Sequence, residues 1–277
     1  MILVTGATGT VGRELVSILA ARGEPVRAVS RNPAAAGLPA GVEVVAADLT
    51  EPASLAPHLT GVHAAFLIWP STDPVLARRL APEVARTLAA RVPRIVYLSA
   101  PGAEQPESFW GIVERAVEES GADWAFLRPT GFAANTLAWA DQIRAGDVVR
   151  WPYGGAARSL IHERDIAEVA AAALTTDGHL GARHLLSGPA TVIQEEQVRA
   201  IGRVIGRELR WAEMPRDEAH AMLAGAFGDA AFADAALDGW AAFVDRPEQV
   251  TTTVESVTGH PARPYGQWAA DHADAFR

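Results

Sequence analysis

Short apolar runs alternate along the first half of the chain with segments in which apolar residues recur every three or four positions. The apolar runs are ILVTG, PVRAVSR, VEVVAAD, HAAFLIW, RIVYLSA and DWAFLRP. Because none of them alternates strictly between apolar and polar residues, they are typical of strands buried on both faces. The helical segments between them include VGRELVSILAARG and FWGIVERAVEESG, which end in the stop signals Gly23 and Gly121. Strands alternating with helices predict an α/β fold with a Rossmann-type, doubly wound parallel sheet.

The rhythm changes after Pro129, where glycine, proline and short helical stretches mix up to about residue 160. Further on, the pattern predicts a capped helix in HERDIAEVAAAALTTDGHLG, a strand in ARHLLSGP and a helix in TVIQEEQVRAIGRVIGR. From about residue 208 the chain is rich in tryptophan and has helical spacing. We predict one domain over residues 1–277, with a core over 1–130. Residues 131–277 are expected to complete the sheet and to form a smaller, mostly helical cap on the substrate side.

The composition excludes several kinds of chemistry. The chain has 277 residues, 49% of them hydrophobic, and a net charge of −9. It has no cysteine, and its 24 basic residues are all arginine, which excludes disulfides, thiolate nucleophiles, Schiff bases and a P-loop lysine. We expect no metal site and, because the cations are scattered among acids, no nucleic-acid partner. No apolar run reaches the roughly 18 residues of a membrane span, and the first strand begins at Ile2 without room for a signal peptide, so we expect a cytoplasmic protein.

Three glycines spaced three residues apart, Gly6, Gly9 and Gly12, follow the first predicted strand and open the first predicted helix. Without Cβ atoms the backbone can approach a pyrophosphate, whose charge then meets free N–H groups and the positive end of the helix dipole. In this context the pattern predicts that residues 1–130 form a dinucleotide-binding core. The alternative is a tight turn with a purely structural role.

The end of the second predicted strand indicates which dinucleotide binds. NAD-binding proteins place an acidic residue there for the ribose 2′-hydroxyl, whereas this chain has Arg31, preceded on the strand by Arg27. A guanidinium suits a 2′-phosphate, and one charge-assisted contact of about 1.5 to 3 kcal/mol gives roughly a ten- to hundredfold preference. We expect NADP(H) to be preferred over NAD(H), unless Arg31 is only a solvated strand end. Asp48, which ends the third strand, is the expected partner of the adenine amino group or, alternatively, a helix cap.

The segments TGATGTVG, VRAVSRNP, LRPTGFAAN and IHERDIAEVA, with ADL after the third strand, resemble the NmrA-like branch of the atypical short-chain dehydrogenases/reductases. The resemblance extends over essentially the whole chain, including VTGHPARPYGQWAADHA. This family includes NADPH-dependent quinone, triphenylmethane-dye and ether reductases, and also redox sensors that bind the dinucleotide without catalysis. The resemblance implies that the cofactor is contacted by Gly6, Thr8, Gly9, Thr10, Val11, Gly12, Arg31, Asp48, Leu49, Leu67, Trp69, Ser99, Pro129 and Phe132, of which the last five would line the nicotinamide end.

One departure from the family pattern limits what the resemblance implies about chemistry. Catalytic short-chain dehydrogenases pair a tyrosine acid with a lysine four residues later, whereas the corresponding region here reads ESFWGIVERAVEESG. Trp110 or Gly111 stands in the place of the lysine, and the three tyrosines, Tyr97, Tyr153 and Tyr265, lie elsewhere. Since a general acid contributes about 10²- to 10⁴-fold, reactions that create a basic alkoxide are disfavoured.

The sequence therefore predicts an NADPH-dependent oxidoreductase that transfers hydride to a small planar acceptor, which is quinone-like, conjugated or an iminium, without the Tyr-Lys pair. The catalytic residue is unknown, with Ser99 and Trp110 as candidates, and Ser99 is alternatively a turn cap. The side chains expected to face the small-molecule substrate are Trp69, Trp110, Asn135 and Tyr153. His162 and Asp165 are expected to cap a helix rather than to bind a metal. The alternative function is a non-catalytic NAD(P)-binding redox sensor or regulatory protein, and the sequence carries no signal for the oligomeric state.

Overall fold

The structure, a computed structural model, describes residues 1–277 with the exception of the Phe227 side chain. The strands are β1 Ile2–Val4, β2 Val26–Ser30, β3 Glu43–Ala46, β4 Ala64–Leu67, β5 Arg94–Leu98, β6 Asp123–Pro129, β7 Val148–Trp151, β8 Ala157–Arg158, β9 Arg183–Leu186, β10 Val192–Ile193 and β11 Arg210–Glu213. The α-helices are α1 Thr10–Ala21, α2 Pro74–Ala89, α3 Phe109–Glu118, α4 Ala140–Ala145, α5 Glu163–Thr175, α6 Gln194–Ile205, α7 Arg216–Phe227, α8 Ala230–Asp245, α9 Thr253–Thr258 and α10 Tyr265–Asp271.

The chain divides into two compact units. The first unit consists of Met1–Pro129, Glu163–Leu186 and Thr253–His260. The second consists of Thr130–His162, Ser187–Thr252 and Pro261–Arg277. Each unit is therefore assembled from separate stretches of sequence, and α5, β9 and α9 belong to the first unit although they follow Pro129 in the chain.

The first unit is built on a parallel sheet of seven strands in the order β3-β2-β1-β4-β5-β6-β9. The strand order reverses at β1, which pairs with β2 on one side and β4 on the other. This arrangement confirms the predicted doubly wound sheet, and a reversal of this kind is where such sheets bind nucleotides, beyond the carboxyl ends of the strands. Helix α1 packs beside α5, and α2 packs beside α3.

A buried apolar core holds the sheet to α2 and α3. Its fully buried members include Leu3, Leu88, Ile95, Val117 and Phe126. Burial of each such side chain contributes about 1.5–3 kcal/mol relative to exposure. This packing fixes the strand ends, so the residues that directly follow β1, β4 and β5 are held on a rigid support.

The second unit has two short strand pairs, β7 with β11 and β8 with β10, and five of the helices. One apolar cluster surrounds Trp139, Ile201 and Trp268, and a smaller one lies between α7 and α8 around Leu223 and Leu237. The prediction of helix from about residue 208 onward is wrong at β11. That short segment becomes a strand because it pairs in parallel with β7, a distant partner that local periodicity does not reveal.

No described helix combines the length and the hydropathy that a membrane crossing needs.

Candidate functional site

The three glycines of the loop between β1 and α1, residues 6–12 and hereafter the glycine loop, are required for three different reasons. Gly6 has a φ of +59°, a left-handed conformation that favours glycine. A Cβ on Gly12 would lie 2.1 Å from the carbonyl oxygen of Gly6, so helix and loop can approach only without it. Gly9 differs, because its φ is −81° and a Cβ there would meet only that same carbonyl oxygen, at 3.3 Å. Packing within the loop therefore restricts residue 9 less severely than residue 12, and the glycine at position 9 leaves open the face that a ligand would use.

Backbone N–H groups at the start of α1 are free of partners. Gly9 is the N-cap, and neither a side-chain cap nor an acidic residue occupies the first turn. The N–H groups of Thr10, Val11 and Gly12 donate to no acceptor among the described residues. Unpaired N–H groups and the positive end of the helix dipole favour an anion at this position. The glycine loop therefore fits a pyrophosphate.

Arg27, within β2, and Arg31, directly after β2, have different environments. The Arg27 guanidinium donates to the carbonyl oxygens of His58, at 2.5 Å, and Thr60, at 3.1 Å, and it pairs with Glu43 at 2.9 Å. Arg31 is exposed and makes no hydrogen bond or ion pair with the described residues. Only Arg31 is thus free to bind an added phosphate, while Arg27 serves the fold.

Asp48 keeps one carboxylate oxygen available. Its Oδ1 accepts hydrogen bonds from the Thr50 backbone N–H at 2.8 Å and from the Thr50 hydroxyl at 2.9 Å. The backbone hydrogen bond is the main reason that the pKa of Asp48 is lowered, and the charge of Arg31 lowers it further. Oδ2 accepts no hydrogen bond from the part of the chain that is described, so a charged acceptor stands beside the buried Leu49.

Four of the predicted nicotinamide-end residues lie in the first unit, at or just beyond the carboxyl ends of three adjacent strands. Leu67 ends β4, Trp69 and Ser99 follow β4 and β5, and Pro129 ends β6. All four are buried. The indole Nε1 of Trp69 is buried without a hydrogen-bond partner, which is the kind of unpaired donor that a bound group can satisfy. Phe132, the fifth, is half-buried and belongs to the second unit.

Ser99 belongs to a buried group with Glu114 of α3 and Arg128 of β6, here called the serine network. The Ser99 hydroxyl donates to Glu114 Oε1 at 2.5 Å. Arg128 donates to the same carboxylate through Nε at 2.9 Å and Nη2 at 2.6 Å. Only 4% of the surface of Glu114 is exposed. Because the hydroxyl proton is committed to a carboxylate, Ser99 faces any ligand as a hydrogen-bond acceptor and not as a proton donor.

Glu114 and Arg128 are not among the site residues predicted from the sequence. A signal exists, since Glu114 interrupts the apolar side of α3 and Arg128 lies in a run that is otherwise buried. Buried charges are paired in folded proteins. That rule would have predicted an ion pair between the two residues.

Trp110 occupies the first turn of α3 and is half-buried. Its ring centroid lies 4.0 Å from that of Phe109, and a Cβ on Gly102 would approach the indole to 3.0 Å. The indole is therefore fixed by its neighbours, with part of its surface still free.

The three tyrosines lie in different environments. Tyr97 is fully buried in the core of the first unit, its hydroxyl has no partner, and burial raises its pKa. Tyr265 is buried in the second unit, where burial raises its pKa and its hydroxyl donates to Thr136 at 2.9 Å. Tyr153 is half-buried with a φ of +61°, and its hydroxyl accepts from Arg216 at 3.3 Å.

Comparison with known proteins places the chain in a family. A profile of the NAD(P)H-binding family matches residues 6–177, and the chain belongs to this family. This confirms the family-level resemblance drawn from the sequence, and two curated relatives extend it over the whole chain. One is a (4-alkanoyl-5-oxo-2,5-dihydrofuran-3-yl)methyl phosphate reductase of Streptomyces griseus, 40% identical over 100% of this chain and 99% of the relative. The other is an NAD(P)H azoreductase of Xenophilus azovorans, 36% identical over 100% and 99%.

Solved structures share the fold. An NADPH-dependent quinone oxidoreductase of Escherichia coli, complexed with NADPH, superposes with a TM-score of 0.82 at 24% identity and covers 98% of this chain and 99% of its own. Triphenylmethane reductase of Citrobacter sp., complexed with NADP(H), superposes with a TM-score of 0.80 at 21% identity, over 99% and 100%.

Proposed function

We propose that this chain, an NAD(P)H-dependent reductase, uses NADPH to reduce a small planar acceptor that is quinone-like, conjugated or cationic. The observation that carries the proposal is the serine network, in which the Ser99 proton is already donated to Glu114 at 2.5 Å. No lysine exists in the chain, and no tyrosine lies in the family's catalytic position. The site we propose thus binds and orients its reactants without a strong acid of its own.

The nature of the product decides which acceptors such a site can serve. When bound, NADPH supplies the hydride. A simple ketone would become a basic alkoxide and would lose the roughly 10²- to 10⁴-fold contribution of a general acid. A quinone gives a much less basic phenolate, which can take its proton from water. An iminium or dye cation gives a neutral product that needs no proton. Proximity and orientation then account for most of the rate.

The names of the relatives support this choice of acceptors. They include a reductase of an acyl-substituted oxo-dihydrofuran, which is a conjugated carbonyl compound, and an azoreductase. The structural neighbours include quinone and triphenylmethane reductases. All four acceptors named in this way are conjugated or charged, and none is a simple ketone.

In this proposal the glycine loop binds the pyrophosphate, Arg31 binds the 2′-phosphate and favours NADPH, and Asp48 accepts from the adenine amino group. The nicotinamide is held by Leu67, Trp69, Ser99, Pro129 and Phe132. Substrate contacts come from Trp69, Trp110, Asn135 and Tyr153. We further propose a cytoplasmic enzyme that acts on small molecules and, with a net charge of −9, binds no nucleic acid.

A panel of acceptors tests the proposal directly. NADPH oxidation is followed by absorbance with a benzoquinone, an azo dye, a triphenylmethane dye, an unsaturated lactone and an aliphatic ketone. Turnover is expected with at least one conjugated or cationic acceptor and not with the ketone. Rapid reduction of the ketone would overturn the proposal, and NADPH binding without oxidation by any member would favour a redox sensor.

A further inference from the structure

The second unit contains a cavity of about 110 Å³ that is walled by tryptophan. Its lining includes Trp139, Trp151, Trp240, Asn135, Arg158 and Leu160, and we call it the tryptophan cavity. Trp139 and Trp151 are near each other in the sequence, whereas Trp240 comes from the distant helix α8. All of the lining residues belong to the second unit, so the cavity is complete within that unit.

The walls present flat aromatic surfaces at fixed angles. The ring centroids of Trp151 and Trp240 lie 5.9 Å apart at 43°, and those of Trp139 and Trp151 lie 6.3 Å apart at 72°. Aromatic rings stack on such faces with a gain beyond that of simple burial. A planar ligand therefore matches these walls better than an aliphatic chain of equal volume.

Hydrogen-bond donors at the cavity have no acceptor. Among the described residues, none accepts a hydrogen bond from the indole N–H groups of Trp139, Trp151 and Trp240 or from the side-chain amide of the exposed Asn135. The lining also contains Gln194 and Gln197, whose side-chain Nε2 groups donate to backbone carbonyl oxygens. The unpaired donors of the indoles and of Asn135 would be satisfied by a ligand that carries acceptor atoms, of which carbonyl oxygens are the simplest.

The cavity carries no net positive charge. The Arg158 guanidinium is paired with Glu248 through Nε at 3.1 Å and Nη2 at 3.4 Å. The same carboxylate accepts from the Ser159 backbone N–H at 2.9 Å. Because Arg158 is already neutralised by a half-buried carboxylate, an anionic ligand would gain little and would be repelled by Glu248.

We propose that the tryptophan cavity binds the ring of an uncharged, planar, conjugated carbonyl compound, with indole faces on the ring and the indole and Asn135 donors on its oxygens. This inference rests on the proposed function, because it narrows the class of acceptor and adds residues of the second unit to the substrate contacts proposed above. The volume of about 110 Å³ is smaller than that of a 150 Å³ apolar cavity that holds benzene in another protein, so the cavity can enclose no more than one ring. Acceptors with larger substituents would keep those outside the cavity.

Binding of para-benzoquinone, measured by equilibrium dialysis without NADPH, tests the assignment apart from catalysis. The chain has no cysteine and no lysine, so the nucleophiles that most readily add to quinones are absent. Trp240→Ala is expected to weaken binding about tenfold or more, and Trp240→Phe, which keeps a ring, about threefold or less. Trp124→Phe is the matched control, because Trp124 lies in the first unit, is outside the cavity lining and stacks on Phe126, and it should leave quinone binding unchanged.

A second variant is included in case Trp240→Ala does not fold. Asn135 is exposed, so Asn135→Leu should leave thermal stability unchanged while weakening quinone binding about three- to tenfold by removing one donor. With an accepted substrate, the same variants should raise KM and leave the Kd for NADPH unaltered. Unchanged quinone binding in both Trp240→Ala and Asn135→Leu would overturn the inference even if the enzyme reduces quinones.

A further binding measurement tests whether the ligand of the cavity is uncharged. A sulfonated benzoquinone should bind at least tenfold more weakly than the neutral compound, and tighter binding of the sulfonate would overturn the claim of an uncharged ligand. If no acceptor oxidises NADPH but the neutral quinone binds and depends on Trp240, the proposed function fails while the cavity assignment stands.

Discussion

The glycine loop and the serine network differ in how much of their hydrogen-bonding capacity the protein itself uses. In the loop, the first N–H groups of α1 have no acceptor among the described residues, and Gly9 leaves its face open. In the network, every strong group is engaged, since Ser99 and Arg128 both donate to Glu114. We propose that the first region is organised around a partner that is not protein, whereas the second is held mainly by bonds among its own three residues. The cofactor loop can therefore be identified by its unused groups, whereas the network stabilises the strand ends on which the ligand would rest.

The largest expected effect comes from breaking the network. Glu114→Leu removes the main partner of the half-buried Arg128 and leaves it only the exposed Glu104, at 3.9 Å. We expect the free energy of unfolding to fall by about 3 kcal/mol, as measured by urea denaturation. The double variant with Arg128→Leu should recover most of the loss, because it removes the second charge as well. Glu107→Ala, which breaks the exposed pair with Arg78 outside the network, is the control and should cost less than about 1 kcal/mol. Equal losses in all three would contradict the idea of a self-contained network.

The second effect separates the glycines of the loop. Gly9→Val should leave the melting temperature nearly unchanged and weaken NADPH binding by about a hundredfold or more, because the added methyl groups occupy the pyrophosphate's space. Gly12→Ala should instead destabilise the fold by about 1–3 kcal/mol through the clash with Gly6. Calorimetric titration and thermal melts distinguish the two. Tight NADPH binding in a folded Gly9→Val protein would mean that the open face of the loop has no ligand.

A third test concerns the discrimination between dinucleotides. Arg31→Ala is expected to reduce the preference for NADPH over NADH about ten- to hundredfold, since it removes the unpaired guanidinium beside the predicted 2′-phosphate. Arg22→Ala, another exposed arginine of the same unit, should leave the ratio of the two Kd values unchanged. Equal affinities for both dinucleotides in the unmodified protein would remove the basis of this assignment.

The sequence identifies the loop better than the network for a physical reason. The spacing of Gly6, Gly9 and Gly12 is local, and so is its context between a strand and a helix. The Glu114–Arg128 pair depends on the packing of α3 against β6, which no short segment encodes. In the same way, sequence alone does not separate Arg31 from Arg27, because the partners of Arg27 come from the segment between β3 and β4 and from β3 itself.

How well each part of the fold can be predicted also depends on whether its contacts are local or distant in the sequence. All six runs of the first half become strands of the main sheet, and ARHLLSGP supplies β9 as the seventh. Burial on both faces gives these strands a strong local signature. Strand β11 was missed because it exists only through its pairing with β7. The two-unit organisation, in which α5, β9 and α9 return to the first unit, likewise depends on contacts between distant segments.

The smallest effect on turnover is expected from replacing the tyrosines. The result bears on the comparison of the glycine loop with the serine network, because a tyrosine that acts as a general acid would make the region around the network catalytic. Tyr97→Phe, Tyr153→Phe and Tyr265→Phe should each leave turnover within about tenfold, below the usual contribution of a general acid. Trp110→Ala should lower turnover more, because it removes a fixed aromatic wall and loosens the orientation of the acceptor. Steady-state kinetics with an accepted quinone or dye measures all four. A thousandfold loss in any Tyr→Phe variant would restore ordinary carbonyl reduction as a reaction of this site.

Tyr97 also gives a test that needs no substrate. Burial raises its pKa above the ordinary value of 10.0, so the folded protein keeps this proton at a pH where the unfolded chain loses it. Stability should therefore fall as the pH rises above about 10. Tyr97→Phe removes this ionisation and the unpartnered hydroxyl together, so its urea midpoint should decline less between about pH 9 and about pH 10.5 than that of the unmodified protein. Burial also raises the pKa of Tyr265, so part of the decline in stability remains in the Tyr97→Phe variant. An identical decline in both proteins would mean that the Tyr97 hydroxyl reaches solvent, and with it a route by which that tyrosine could serve as the missing acid.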